Sequence, residues 1–298
     1  MTGRSIRVAV DAWLANPTAA KATYRPISTW VTSEVTDMSY LFCAKPDEPK
    51  CNYVASSFNE KIATWDTSRV TSMKEMFSWT SSFDQPLSRW RVDEVADMYA
   101  TFYQASAFNQ AINEWSVDKV TNMERMFYYA SAFDQPLGNW NVFEVRAMRD
   151  MFRATGAFNQ DLSDWSPVRN ERTDMYGMFL DARVFNQDLG WCLDAKRGDW
   201  NDMFSGTPCK ENECGCIISS LLQPCPGCGG CYGAKDDTHP CCDTCNEVKA
   251  AYGRKQWDYD NYCNNAEGNA CTTNSDCDAT NLPGELACCP EKFSQCEK

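Results

Sequence analysis

"SAFDQPLGNWNVFEVRAMRDMFRATG" occupies residues 131–156, and it decides the fold because most of it recurs along the chain. Tryptophans stand at Trp30, Trp65, Trp90, Trp115, Trp140, Trp165 and Trp191, in steps of 35, 25, 25, 25, 25 and 26 residues. Phe58, Phe83, Phe108, Phe133, Phe158 and Phe185 keep the same beat. The first step is long because "CAKPDEPKCN" is inserted there, and its Cys43 and Cys51 are expected to close a loop of their own. A fixed period of this length is the signature of stacked repeats.

Within one unit, Trp140 and Val142 alternate as in a short strand, with Leu137 packing just ahead. Val120, Met123, Met126 and Phe127 are spaced to line one face of about two helical turns. Ser33, Ser68, Asp93 and Asp118 lie three residues after their tryptophans, where an N-cap would sit; Phe143 and Val168 break that column. The expected class is therefore an α/β repeat solenoid, leucine-rich-repeat-like, with a short strand and a short helix per repeat. Trp65, Trp90, Trp115, Trp140 and Trp165 read as its core rather than as a cofactor box, and the methionines as fillers between coils.

Asn59, Asp84, Asn109, Asp134, Asn159 and Asn186 each follow a column phenylalanine. They read as a polar ladder that bridges backbone corners. Calcium ligation is the lesser alternative, since one side-chain oxygen per coil falls short of the roughly six to eight that the ion takes. The outward positions beside the tryptophans, such as Arg89/Arg91 and Glu114/Ser116, mix charges and read as a solvated face. Trp79, Tyr103, Tyr128 and Tyr129 lie off the core columns and are candidates for a binding platform.

The "W-x-V/T-x-x-V-T-x-M-x-x-M-F … A-S-x-F-N-Q-x-L" unit resembles the BspA-like leucine-rich-repeat family of surface proteins. The likeness spans roughly residues 27–204. It implies a cell-surface or secreted solenoid used in adhesion or assembly, with no catalytic residues to carry over. Residues 1–26 resemble the helical cap that opens such arrays. Ile6, Val10, Trp13 and Leu14 would form the apolar face of a helix over residues 5–16, with Ser5 as N-cap and Pro17 as its end.

The remaining organisation follows the cysteines. Of eighteen in the chain, fifteen lie from Cys209 to Cys296. That crowding predicts disulfides formed in an oxidising compartment, standing in for a core too small to hold itself. Domains are expected at 1–26 (cap), 27–209 (about seven repeats), 210–262 and 263–298 (two cysteine-rich modules). A Cys192–Cys209 bridge would pin the last repeat. In "CGGCYGAKDDTHPCCDTC", Cys228/Cys231 and Cys242/Cys245, with Cys241 beside them, are compatible with structural disulfides, a zinc ribbon or a redox dithiol. This segment and the helix-like stretch after it also resemble a luminal cysteine-rich region of ERGIC-type cargo receptors, which implies an oxidised lumenal or secreted setting. The last section is loosely similar to whey-acidic or dickkopf-type modules.

A formal charge of -13 argues against nucleic acid and anionic lipid as partners. No apolar run is long enough to span a membrane. Residues 1–24 lack a signal-peptide core, so a processed start is expected. His239 stands without a nucleophile at an interpretable motif. The leading reading is a non-enzymatic secreted or cell-surface structural or adhesive protein that needs no cofactor and works through protein partners or self-assembly. The secretory-pathway lumen is the other location compatible with the cysteines. The alternatives are a soluble peptide- or glycan-binding receptor module and, behind it, a thiol-disulfide oxidoreductase.

Overall fold

The computed structural model describes residues 1–165, 173–194, 202–209 and 216–218, with the backbone alone for 192–194 and 216–218. The chain divides into two compact units, Met1–Leu189 with Arg197–Cys214, and Gly190–Lys196 with Gly215–Lys298.

The first unit opens with two helices, where the sequence predicts one. Helix α1 spans Gly3–Ala15 and is capped by Thr2, whose hydroxyl accepts from the Ser5 amide. Ser5 returns the bond by accepting from the Thr2 amide at 2.7 Å, so it is the third helical residue of a capping box and not the cap itself. Pro17 begins a second helix, α2 (Pro17–Tyr24), with Asn16 as its cap, because a first-turn proline has no amide to leave unpaired. Ile6, Ala9, Val10 and Trp13 form the buried stripe of α1. Trp13 meets Trp30 edge-on at 5.9 Å, and Arg7 pairs with Asp37 at 3.0 Å.

From Asp37 onward, hydrogen bonds link residues one repeat apart. Single parallel bridges run Asp37, Ser72, Asp97, Asn122, Ala147 and Asp174, each to the next. After each bridge the amides alternate between two kinds of acceptor. Met98, Ala100, Phe102 and Gln104 donate to Asn122, Glu124, Met126 and Tyr128 in the following coil, at 2.8–2.9 Å. Thr101, Tyr103 and Ala105 instead donate three residues back within their own coil. The same alternation holds from Met73, Met123 and Met148.

This corrects the local elements expected of each repeat. The Met-x-x-Met-Phe stretch is a run of tight turns, not a helix. Every fourth residue in it is left-handed: Glu75 and Trp79, Ala100 and Gln104, Arg125 and Tyr129, Asp150 and Ala154, with φ of 51–63°. A left-handed residue costs about 1–2 kcal/mol, and here its amide is among those that bond to the next coil. Nor is there a strand at Trp140–Val142, where Trp140 N–H closes a turn onto Leu137 and the inter-coil bridge falls at Asn122 and Ala147. Without those helices the expected caps take other partners. The Asp93 carboxylate pairs with Arg91 at 2.8 Å, and Asp118 accepts from Ser116 and Asn141.

Three columns of rings fill the interior. Phe77, Phe102, Phe127, Phe152, Phe179 and Phe204 stack nearly parallel at 5.5–5.8 Å. Phe58 to Phe185 stack at 5.9–6.0 Å, and the tryptophans from Trp65 to Trp165 lie 6.2–6.4 Å apart wherever neighbouring pairs are in contact. Each indole N–H donates to a carbonyl of the previous coil: Trp90 to Ile62, Trp115 to Leu87, Trp140 to Ile112 and Trp165 to Leu137, at 2.9–3.1 Å. Tryptophan thus supplies apolar area and satisfies a buried carbonyl at once.

In the second unit, β1 (Cys192–Asp194) pairs in parallel with β2 (Cys216–Ile218), with Cys192 opposite Cys216. Among the described residues, no helix is long and apolar enough to cross a membrane.

Candidate functional site

The polar column sits at a corner of every coil. Asn59 Oδ1 accepts from the Asp84 amide, Asp84 Oδ1 from Asn109, Asn109 Oδ1 from Asp134 and Asp134 Oδ1 from Asn159, each at 3.0 Å. Asn159 Oδ1 accepts from Asn186 at 2.8 Å. A second column, not anticipated from the sequence, completes it. The side-chain amides of Gln85, Gln110, Gln135 and Gln160 donate to the same oxygens at 2.8–3.0 Å. From Asn59 to Asp134 each of these oxygens is committed to two donors, and at Asn159 the Gln187 side chain donates to the backbone carbonyl instead, so this column is occupied by the stack itself. Trp65, Trp90, Trp115, Trp140 and Trp165 are at most 3% exposed and are interior as well.

Cys43 and Cys51 form a disulfide that closes the insert. Cys209 is disulfide-bonded. The Cys192 side chain, and Cys228, Cys231, Cys241, Cys242 and Cys245, lie outside the described residues. Among the described residues no cluster of His, Cys, Asp and Glu is arranged to hold a metal ion.

What the stack leaves free is the outward side of the left-handed turns. Trp79 meets Tyr103 edge-on at 6.1 Å, Tyr103 meets Tyr128 at 4.9 Å, and Tyr128 meets Tyr129 at 4.7 Å. The rings form one continuous patch across three coils. Tyr129 is 46% exposed and the other three are half-buried. Burial raises the Tyr128 phenol above its ordinary range although Arg153 opposes this, so the group stays a neutral hydroxyl.

Beside the rings, one carboxylate organises three guanidinium groups. Asp150, 3% exposed at its side chain, lies 3.3 Å from Arg153, 3.5 Å from Arg125 and 3.8 Å from Arg149. Gly177 makes room for it. A Cβ on that glycine, whose φ is +59°, would come within 2.9 Å of Asp150 Oδ1. Arg153 lies over the Tyr128 ring at 5.5 Å and Arg149 over Tyr176 at 4.2 Å, which fixes their planes. Arg125 also donates to the Tyr99 hydroxyl at 3.3 Å.

Charged groups around the rings pair locally: Lys45 lies 3.4 Å from Glu75 and Arg125 3.6 Å from Glu124, while the Tyr176 hydroxyl donates to Asp202 at 3.0 Å. Ser78 Oγ, Trp79 Nε1 and Arg153 Nε are buried without an acceptor, and all three belong to this face. The arginine cluster escapes a reading of the linear sequence because its members come from different coils. Aligning the repeats exposes it, since Arg125 and Asp150 then share one column, and Tyr103, Tyr128 and Arg153 another. The arrangement offers recognition by rings, fixed cations and hydroxyls.

Comparison with known proteins places the repeats in a family. The family described as "Mycoplasma protein of unknown function, DUF285" matches residues 16–131 and 109–214, two thirds of the chain between them. A 36-residue stretch is 53% identical to the probable endoplasmic reticulum-Golgi intermediate compartment protein 3 of Dictyostelium discoideum. That stretch is 11% of this chain and 9% of the relative. No solved structure matches.

Proposed function

The chain belongs to the DUF285 family, and on that premise we propose that it is a non-enzymatic extracellular or cell-surface protein. It is a leucine-rich-repeat-like solenoid that adheres or assembles through side chains displayed on one face of its coils. The family match over the repeats and their resemblance to BspA-like surface proteins support the location. The observation that carries the binding role is the ring-and-guanidinium patch around Tyr129 and Asp150. Interior columns repeat because the stack requires them, whereas this patch departs from the repeat and contributes surface instead. The cysteine-rich tail, in this reading, is a disulfide-stapled module, in keeping with an oxidising compartment.

Two measurements test the proposal together. Antibody raised against the repeats should stain intact, unpermeabilised cells of the source. Soluble chain should bind those cells or self-associate, and Tyr129→Ala combined with Arg149→Gln should reduce this by about tenfold or more. Staining only after permeabilisation, or attachment indifferent to both substitutions, defeats the reading.

A further inference from the structure

We propose that a second copy of the chain, turned end for end, docks on the exposed face that follows the tryptophans. Other columns than those of the ring patch carry this face, so the inference goes beyond the reading above.

In the coils opened by Trp30, Trp65, Trp90, Trp115 and Trp140, the residues one, four and six places after the tryptophan are exposed, and those two and five places after it are buried. The fourth places read Glu34, Arg69, Glu94, Lys119 and Glu144, so the sign alternates at every step. Like charges stacked about 5 Å apart would repel, and alternation avoids this while making the face complementary to itself. Arg69 pairs with Glu34 at 2.8 Å and Lys119 with Glu94 at 2.7 Å. These pairs tie the first coil to the second and the third to the fourth. Among the described residues no ion pair joins Arg69 to Glu94 or Asp66 to Arg91, and Arg91 pairs with Asp93 of its own coil at 2.8 Å. The junction of the second and third coils therefore carries opposite charges that the stack does not tie. The side chains of Glu34, Arg69, Arg91, Glu94 and Lys119 are 47–67% exposed.

A two-fold axis crossing the face at that junction, at right angles to the stack, sets the second coil of one copy against the third of the other, and the first against the fourth. Arg69 then faces Glu94, Asp66 faces Arg91 and Glu34 faces Lys119, and the symmetry makes each pair twice. Asp93 and Asp118 meet Ser68 and Ser33, which add no like charge. Thr71 meets Ala96, and both are small enough for close approach. Moving the axis on by one coil sets Asp93 against Asp118, and placing it on a coil sets every charge against itself. One register alone is complementary throughout.

Exposed ion pairs on a face of this size give weak association. The chain's charge of -13 repels a second copy at a distance. At about 0.15 M salt the screening length of about 8 Å damps that repulsion and leaves contact pairs in place, whereas about 3 Å at 1 M weakens the pairs too. Dimerisation should therefore be strongest at intermediate salt.

The test is sedimentation equilibrium of the full chain at about 0.01, 0.15 and 1 M salt, with the Tm of every variant checked. A dimer should form with rising concentration at about 0.15 M and dissociate at 1 M. Glu94→Lys, which sets a cation against Arg69 twice, should weaken it by about tenfold or more, and Arg69→Glu should do the same from the other side. Combining Arg69→Glu with Glu94→Arg reverses the pair and should restore the dimer, while Tyr129→Ala should leave it unchanged. The inference is overturned if the chain stays monomeric up to about 1 mM, if association is as strong at 1 M salt, or if Glu94→Lys dimerises as well as wild type. It is also overturned if the charge swap stays as weak as the single variants, or if Tyr129→Ala abolishes the dimer. Should the chain stay monomeric while Tyr129→Ala with Arg149→Gln still loses attachment to cells, this inference fails and the surface-binding reading stands.

Discussion

Replacing Asn109 by alanine removes an oxygen that accepts from the Asp134 amide and from the Gln135 side chain, both at 3.0 Å. The site is only half-buried, so the stranded Asp134 amide costs toward the low end of the range for an unmade bond, about 1–2 kcal/mol. For a unit of roughly this size, each kcal/mol moves Tm by about 2–4 °C, so a fall of about 2–8 °C is expected. The column also predicts how charge enters. Asp84 and Asp134 are separated by Asn109, so no two carboxylates are adjacent in the described ladder. Asp84→Asn keeps the accepting oxygen and should shift Tm by no more than about 2 °C, a change of under about 0.5 kcal/mol. Asn109→Asp keeps the oxygen too but places three carboxylates in successive coils, about 5 Å apart. At that separation each new pair costs between about 1 kcal/mol in water-like surroundings and about 3 kcal/mol at an effective dielectric near 20. Added salt should recover part of the loss. Thermal unfolding by circular dichroism at low and high salt measures all three variants. An unchanged Tm for Asn109→Ala, or an Asn109→Asp protein as stable as Asp84→Asn at low salt, would refute the ladder as a stabilising device.

Four further outcomes follow from the structure. Trp115→Ala opens a cavity at a ring 3% exposed and strands the Leu87 carbonyl, so a loss of about 3–5 kcal/mol is expected in denaturant titration. Replacing both Cys43 and Cys51 by serine removes a bridge across a short loop and should cost about 2–3 kcal/mol, read by the same titration. Gly177→Ala should displace the Asp150 carboxylate and loosen the three arginines, weakening any ligand of that face more than it lowers Tm. The pH dependence follows from Asp37 and Asp118. At Asp37, burial pushes the carboxyl up but is outweighed by the Ser39 hydrogen bonds and by Arg7; at Asp118, Ser116 and Asn141 pull it down. A folded value below the unfolded one, about 3.9, means stability fully present above that pH and lost as pH falls through the lowered values. Tm should therefore hold down to about pH 4 and drop below it, with Asp37→Asn and Asp118→Asn each flattening the drop.

The 25-residue period, the ring columns and the Asn/Asp positions were legible because each recurs at a fixed step and each has a role the stack imposes. The turns were not. Val120, Met123, Met126 and Phe127 keep the spacing of a helix face, and turns that close three residues back bring the same side chains inward. The difference lies in left-handed residues such as Arg125 and Tyr129, whose side chains give no hint of it. Gly177 and Gly206 occupy those two columns in the later coils, and aligning them with the earlier repeats is the signal that would have shown it. Ser5 and Pro17 take roles a few positions from those expected, since serine and proline are equally at home at neighbouring positions of a helix start. The Asp150 cluster stayed hidden because its partners meet only once the coils are stacked.

Deleting one whole repeat tests the stack most directly. Removal of residues 82–106 joins Ser81 to Ala107 in register and brings Asn59 beside Asn109, so the remaining coils keep their ladder and their ring columns. The account predicts a cooperatively unfolding protein with native-like near-ultraviolet circular dichroism and a modestly lower Tm, because each repeat contacts only its neighbours. Removal of residues 82–93, half a repeat, should abolish cooperative unfolding. If the whole-repeat deletion unfolds, or the half-repeat deletion is tolerated equally well, the stacked-coil account is wrong.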